Sequence, residues 1–116
     1  MAARSKSTKV QAALIWLDDA HALVARRRAG GTSVTSVDRA LDPTPQFLLR
    51  VAHEASDCDR LVVMGSDAAR VAFEREYVSV YRHPDRLVDG QNEAEPGPRA
   101  LAAQLRLISQ LVDGPA

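Results

Sequence analysis

The sequence has little cysteine and no excess of charge of either sign. Cys58 is the single cysteine among 116 residues, so an intramolecular disulfide is excluded, and a structural zinc site, which usually takes two or more cysteines, is disfavoured. The 15 basic and 15 acidic residues give zero net charge, without the positive excess typical of a dedicated nucleic-acid-binding protein. A lone thiol suits a reducing compartment, and we expect a cytoplasmic protein.

Long apolar runs and nucleotide-binding glycine motifs are also missing. No run has the length of a signal peptide or a membrane-spanning helix, and the short basic segment 1–9 is predicted to be a flexible tail. Neither the Gly-x-Gly-x-x-Gly pattern nor the Gly-x-x-x-x-Gly-Lys-Ser/Thr pattern occurs. We therefore expect no membrane partner, no DNA partner, no cofactor and no metal.

Short apolar segments account for much of the 46% apolar content. At this length one domain is expected, and we place it at residues 10–113. Residues 12–17 form an almost unbroken apolar run, which predicts a central strand covered on both faces. Further strands are predicted, in chain order, at residues 21–27, 32–37, 61–64 and 86–89.

Apolar residues at spacings of three and four predict three helices. The first follows Thr44, its predicted N-cap. The second begins at residue 67 and ends within residues 77–80, with Val80 on its buried stripe. The third covers residues 100–112, where Leu107 either widens the sheet-facing stripe or marks a partner interface. The order β-β-β-α-β-α-β-α predicts a single α/β domain with a mixed central sheet and about three packing helices.

The segment 60–73 contains the first candidate site, at Gly65 and Ser66. Gly65 ends an apolar run, and Ser66 and Asp67 can cap the helix that follows. A helix N-terminus with free amide donors favours an anion, and a glycine lets a ligand approach closely. Because Asp67 already places a carboxylate there, the turn is either a structural corner or a binding site for phosphate or another anion.

Three successive arginines, Arg26, Arg27 and Arg28, form the second candidate site. We expect them at the exposed end of the second strand, where guanidinium groups can bind RNA phosphates or an acidic partner. The alternative is that these charges only keep an edge strand soluble.

The residues capable of catalysis form no recognised set. Asp18 and Asp19 lie in a predicted turn, and no third acidic residue is near them in the sequence. Four side chains could lie together at the carboxyl ends of the parallel strands, but no nucleophile and base can be assigned among them. They are Asp18, Ser66, Asp67 and His83. We expect no catalytic residue; the alternative is a small enzyme or small-molecule-binding protein with its site at the Gly65–Ser66 turn.

The order of elements resembles small bacterial proteins related to the C-terminal domain of Pelota and to the third domain of archaeo-eukaryotic class I release factors. The resemblance covers most of residues 14–108. It rests on residues 15–18 opening the first hairpin, 45–52 as the first helix, 61–73 as strand, glycine turn and helix, and 100–107 in the last helix.

This resemblance implies a binding module of translation or ribosome rescue rather than an enzyme. Its expected partner is the ribosome, RNA or a translation-associated protein, and a homodimer is a further alternative. Peptide release in the larger family belongs to a separate domain carrying Gly-Gly-Gln. The nearest string here, Asp89-Gly90-Gln91, lacks one glycine and lies in the wrong domain, so it is not a peptidyl-hydrolysis motif.

Overall fold

The computed structural model describes residues 10–55, 58–82, 84–89 and 94–113. Some predicted features fall wholly or partly outside these residues. They are the tail 1–9, His83 and the segment 89–91. Within the described ranges, a five-stranded mixed sheet has the order β3-β2-β1-β4-β5. Its strands are β1 (Ala12–Leu17), β2 (His21–Arg28), β3 (Gly31–Asp38), β4 (Arg60–Gly65) and β5 (Leu87–Asp89).

The central strand β1 determines the topology of the sheet. It pairs antiparallel with β2, so that Ile15 is opposite Val24, and parallel with β4, so that Ile15 is also opposite Val63. All six residues of β1 are buried. Both faces of this strand are therefore covered, which confirms the prediction made from its unbroken apolar run.

Three α-helices in the described part of the chain cover the two faces of the sheet. They are α1 (Thr44–Ala55), α2 (Asp67–Tyr81) and α3 (Pro98–Asp113). Phe47 of α1 and Phe73 of α2 share one core with Ile15, whereas Leu101 of α3 shares a second core with Trp16. The sheet thus lies between two helical layers, which confirms the predicted single α/β domain with a mixed sheet and three helices.

Two details differ from the sequence predictions. Helix α1 begins at Thr44 itself. The amide of Phe47 donates the first helical hydrogen bond to the carbonyl of Pro43, so Thr44 is helical rather than the N-cap. Val80 is 37% exposed, because Tyr81, one residue on, packs its ring 4.8 Å from Tyr77 instead.

Leu107 of α3 does not widen the stripe that packs on the sheet, which leaves the alternative of a partner interface. It is 62% exposed, whereas Leu101 and Leu105 are fully buried. Two residues correspond to about 200° around a helix, so Leu107 lies on the side opposite Leu105.

Among the helices of the described chain, none is long and apolar enough to cross a membrane.

Candidate functional site

A cleft of about 430 Å³ opens at the carboxyl ends of the parallel strands β1 and β4. Phe47 and Leu48 from α1 and Ala69 and Ala72 from α2 form its apolar walls. The side chains at its mouth are polar and come from the turns that follow the strands. In α/β folds this edge of the sheet is where ligands usually bind. The cleft is therefore the candidate functional site.

Gly65 closes β4 beside this cleft, and its conformation is explained by the neighbouring strand. Its φ angle is +120°, and a Cβ atom placed on it would lie 1.9 Å from the carbonyl oxygen of Leu17. That distance is far inside van der Waals contact. The backbone of β1 therefore occupies the space that the missing side chain leaves. A ligand cannot use that space to approach Gly65.

Ser66 uses both of its polar groups in the corner between β4 and α2. Its amide donates to the carbonyl of Leu17 at 3.3 Å, and its hydroxyl accepts a hydrogen bond from the amide of Ala69 at 3.4 Å. Asp67 follows and pairs with Arg70 at 3.0 Å. The predicted cap is confirmed. Anion binding by Gly65 and Ser66 stays a prediction.

The three arginines of β2 alternate between the faces of the sheet. Arg26 lies on the face of α1, as Ala22 and Val24 do, while Arg27 lies on the face of α3. The expectation that all three are exposed is wrong for Arg26, which is only 9% exposed. A strand directs successive side chains to opposite faces, so the run does not present one basic patch.

Arg26 joins three elements through its guanidinium group. It forms an ion pair with Glu54 of α1 and donates hydrogen bonds to the backbone carbonyl of Glu54 at 3.1 Å and to the hydroxyl groups of Thr35 and Ser33 of β3. Neighbouring Arg28 is half-buried and stands opposite Gly31 at the end of the β2–β3 hairpin. Arg27 and Arg28 are thus the members of the run that are accessible to a partner.

The mouth of the cleft combines one cation with two carboxylates. Arg39 donates from Nε to the carbonyl of Asp42 at 3.0 Å and from Nη1 to the carbonyl of Asp19 at 3.1 Å. Asp18 accepts the amides of Ala20 and His21 at 2.8 and 2.9 Å, which confirms its predicted role in the turn. Within the described residues, no group of acidic residues, histidine and cysteine could hold a metal ion.

His21 is a residue with a specific setting that the sequence prediction missed. Its Nε2 atom lies 3.0 Å from Glu95, its Nδ1 atom lies 3.4 Å from Asp18, and its ring is 5.4 Å from that of Trp16. The hydrogen bond to Glu95 raises the pKa of His21 above 6.5; partial burial opposes this, and the charges of Asp18, Glu95 and Asp38 reinforce it. No short-range pattern links His21 to Glu95, because they are far apart in the sequence.

The side chains proposed for a small enzyme are only partly brought together. Ser66 and Asp18 line the same cleft, whereas Asp67 is 78% exposed and paired with Arg70. His83 lies outside the described residues. The single thiol, Cys58, is buried, with its sulfur 3.6 Å from the hydroxyl of Tyr77. The cleft is thus suited to binding, and its described side chains do not form a nucleophile and base pair.

Solved structures with a similar fold include translation factors, although no protein-family model and no curated protein matches this chain. Pelota from Archaeoglobus fulgidus matches 92% of this chain with a TM-score of 0.63 and 17% identity. The archaeal translation termination factor aRF1 matches 89% with a TM-score of 0.53 and 16% identity. S. cerevisiae Dom34, described as a translation termination-like factor that interacts with Hbs1, matches 96% with a TM-score of 0.56 and 7% identity.

These likenesses show the fold of the chain and confirm its predicted resemblance to Pelota and release-factor domains. The chain matches only 33% of the Pelota chain, 40% of Dom34 and 41% of aRF1. The chain therefore spans less than half of the length of each of these proteins.

Proposed function

We propose that this chain is a non-catalytic binding module that acts in translation or ribosome rescue. The observation that carries the proposal is the shared fold with Pelota and aRF1 over about nine-tenths of the chain. In this proposal the module binds its partner in the cytoplasm, and that partner is a translation-associated protein, the ribosome or RNA.

The placement of the reactive side chains supports binding rather than catalysis. The hydroxyl of Ser66 caps α2, and the thiol of Cys58 is buried against Tyr77. A nucleophile needs a base within hydrogen-bond reach and access to substrate. In the part of the chain that the structure describes, Cys58 is shielded from substrate and the hydroxyl of Ser66 is shown with the amide of Ala69 rather than with a base, which supports binding.

The ribosome version of the proposal depends on the accessible arginines of β2. Arg27 and Arg28 lie at the β2–β3 hairpin, whereas Arg26 is committed to Glu54 and Thr35. An experiment that replaced all three would damage the fold and the surface together. The informative variant is therefore Arg27→Gln/Arg28→Gln, which removes two charges and retains much of each aliphatic stem.

Sedimentation of a tagged chain with ribosomes tests this version. We expect co-migration at low salt that weakens in Arg27→Gln/Arg28→Gln and falls with rising salt, because phosphate contacts release counterions. The matched control is Arg75→Gln/Arg106→Gln, which removes two exposed charges from α2 and α3. No co-migration of the wild type at low salt would reject binding to the ribosome or RNA.

Affinity capture from the native cell, with and without RNase, separates the remaining partners. Capture of identified translation factors that survives RNase supports a protein partner, whereas capture that RNase abolishes supports RNA. If no component of translation is captured in either condition and sedimentation is also negative, the proposed role in translation is wrong.

A further inference from the structure

The cleft at the carboxyl ends of β1 and β4 has room for a large apolar side chain. Two of its wall residues, Ala69 and Ala72, are small and lie on successive turns of α2, opposite Phe47 and Leu48 of α1. The volume of about 430 Å³ falls within the range of roughly 300–1,000 Å³ found for ligand pockets. A partner side chain placed between the two helices would therefore be largely removed from water.

The charges at the mouth favour a positively charged group beside that apolar side chain. Asp19 is exposed, and within the described residues its carboxylate has no ion-pair partner. Arg39, the cation of the mouth, is half-buried and donates to two backbone carbonyls. The exposed charge of the mouth is therefore that of Asp19, because Asp18 is half-buried and already accepts the amides of Ala20 and His21. A lysine or arginine complements this mouth, whereas an RNA phosphate would meet like charge.

Leu41 is an exposed apolar side chain in a loop whose ends border the cleft. Its side chain is 99% exposed, although its loop lies between Arg39 and Thr44, which both line the cleft. The loop is held by a bond from the amide of Asp42 to the carbonyl of Arg39 at 3.0 Å and by an ion pair between Arg50 and Asp42. A fixed loop that presents leucine to water costs little additional ordering when a partner covers it.

We propose that this cleft, together with Leu41, docks a segment of a partner protein that carries a large apolar side chain adjacent to a lysine or arginine. The apolar side chain fills the space against Ala69 and Ala72, and the basic side chain pairs with Asp19. The inference rests on the proposed function, of which it specifies the version with a protein partner and names the surface that binds it.

Selection of random displayed peptides on the purified chain tests the proposed chemistry. We expect enrichment of peptides in which a large apolar residue is adjacent to lysine or arginine. Binding of a selected peptide should weaken at least about tenfold in Ala72→Leu, which fills the cleft, and in Asp19→Lys, which reverses the charge of the mouth. The melting temperature of each variant shows whether it is folded.

Matched controls make the same changes away from the cleft. Ala103→Leu adds the same bulk to an exposed position of α3, on the opposite face of the sheet. Asp85→Lys reverses an exposed charge just before β5, at the other end of the sheet from the cleft. Both controls should bind the selected peptide as the wild type does.

Three results would overturn the docking proposal. They are the absence of an enriched apolar and basic pattern, equal binding by the cleft variants and their controls, and displacement of a selected peptide by a short RNA. Sedimentation with ribosomes is independent of this selection. Peptide binding at the cleft without any translation partner would support the docking proposal and reject the role in translation. Ribosome binding without enrichment of a peptide pattern would support the role in translation and reject the docking proposal.

Discussion

At the scale of single residues, Gly65 is decisive because it has no side chain. Its φ angle of +120° is rarely adopted by other residues, and the carbonyl oxygen of Leu17 occupies the position next to its missing Cβ. These two constraints are independent, since one concerns the backbone torsion and the other concerns space. Together they make the strand-to-helix corner dependent on glycine.

Replacing Gly65 with alanine should therefore destabilise the fold. We expect Gly65→Ala to lower the free energy of unfolding by about 2–4 kcal/mol, because β1 and β4 must separate locally or the torsion must change. Urea denaturation measures this change. The control is Gly30→Ala, where a Cβ meets nothing within 4 Å and φ is not positive; a similar loss in both variants would contradict the explanation.

Arg26 is the second residue whose role depends on its surroundings. We expect Arg26→Ala to lower the free energy of unfolding by about 1–3 kcal/mol, because it removes an ion pair to Glu54 and a hydrogen bond to Thr35 from a nearly buried site. Arg75→Ala, on the exposed side of α2, should change it by less than about 0.5 kcal/mol. Equal stability of the two variants in urea would contradict a structural role for Arg26.

At the scale of elements, the beginning of α2 determines what the Gly65–Ser66 corner can bind. The amide of Ser66 donates to Leu17, the amide of Ala69 donates to Ser66, and Asp67 adds a negative charge. Because two of these donors are occupied and the carboxylate of Asp67 repels anions, we expect phosphate and nucleotides to leave the melting temperature unchanged in a thermal-shift assay. A rise that grows with phosphate concentration would support the predicted anion site; Ser66→Ala should then abolish the rise.

The segment that leads into α3 is tied to the β1–β2 turn through His21 and Glu95, which lie 3.0 Å apart. Protonated histidine binds a carboxylate more strongly, so the raised pKa of His21 means that folding favours its charged form. The contribution to stability is complete below pH 6.5, the value expected in the unfolded chain, and is lost as pH rises through the higher pKa of the folded chain.

Replacing Glu95 with glutamine tests this link between elements. Glu95→Gln should lower the pKa of His21, measured by NMR titration, and should reduce stability below pH 6.5 more than in alkaline solution. Glu76→Gln, on α2, is the matched control and should leave the titration of His21 unchanged. The explanation is wrong if the pKa of His21 is the same in Glu95→Gln as in the wild type.

At the scale of the whole molecule, the sheet has two edges that bear on self-association. Strand β3 has eight residues and lies at one edge, while β5 has three residues and lies at the other. A long unpaired edge can pair with a second copy. If β3 pairs with a second copy, the molar mass from light scattering rises from 12.6 kDa toward twice that value with concentration. A constant mass of 12.6 kDa would contradict dimerisation.

Much of the fold follows from local patterns. The apolar run of β1, the glycine after β4 and the spacing of Phe47, Leu48 and Val51 in α1 each identify an element within a few residues, because strand and helix periods depend on near neighbours. The predicted elements differ from the observed bounds by only a few residues at their ends. The predicted burial of Val80 is wrong. Whether Val80 or Tyr81 packs inward depends on where the ring of Tyr77 lies.

The candidate site was less accessible to prediction. Its polar residues Asp18 and Ser66 were identified, but Arg39 was not, because its place at the mouth depends on a bond to the carbonyl of Asp19. Likewise, the burial of Arg26 and the accessibility of the other two arginines of β2 depend on the contacts of Arg26 with α1 and β3. These facts concern residues that are distant in the chain.

The order of the elements, the central position of β1 and the exclusion of an intramolecular disulfide follow from composition and local periodicity, which can be read from the amino-acid sequence. Folding is needed to define which helices cover each face, the close approach of Gly65 to Leu17 and the burial of Arg26. It also creates the apolar cleft between α1 and α2, with Asp18, Asp19 and Arg39 at its mouth. The physical reason is that burial, close approach and charge pairing arise between segments that only folding brings together.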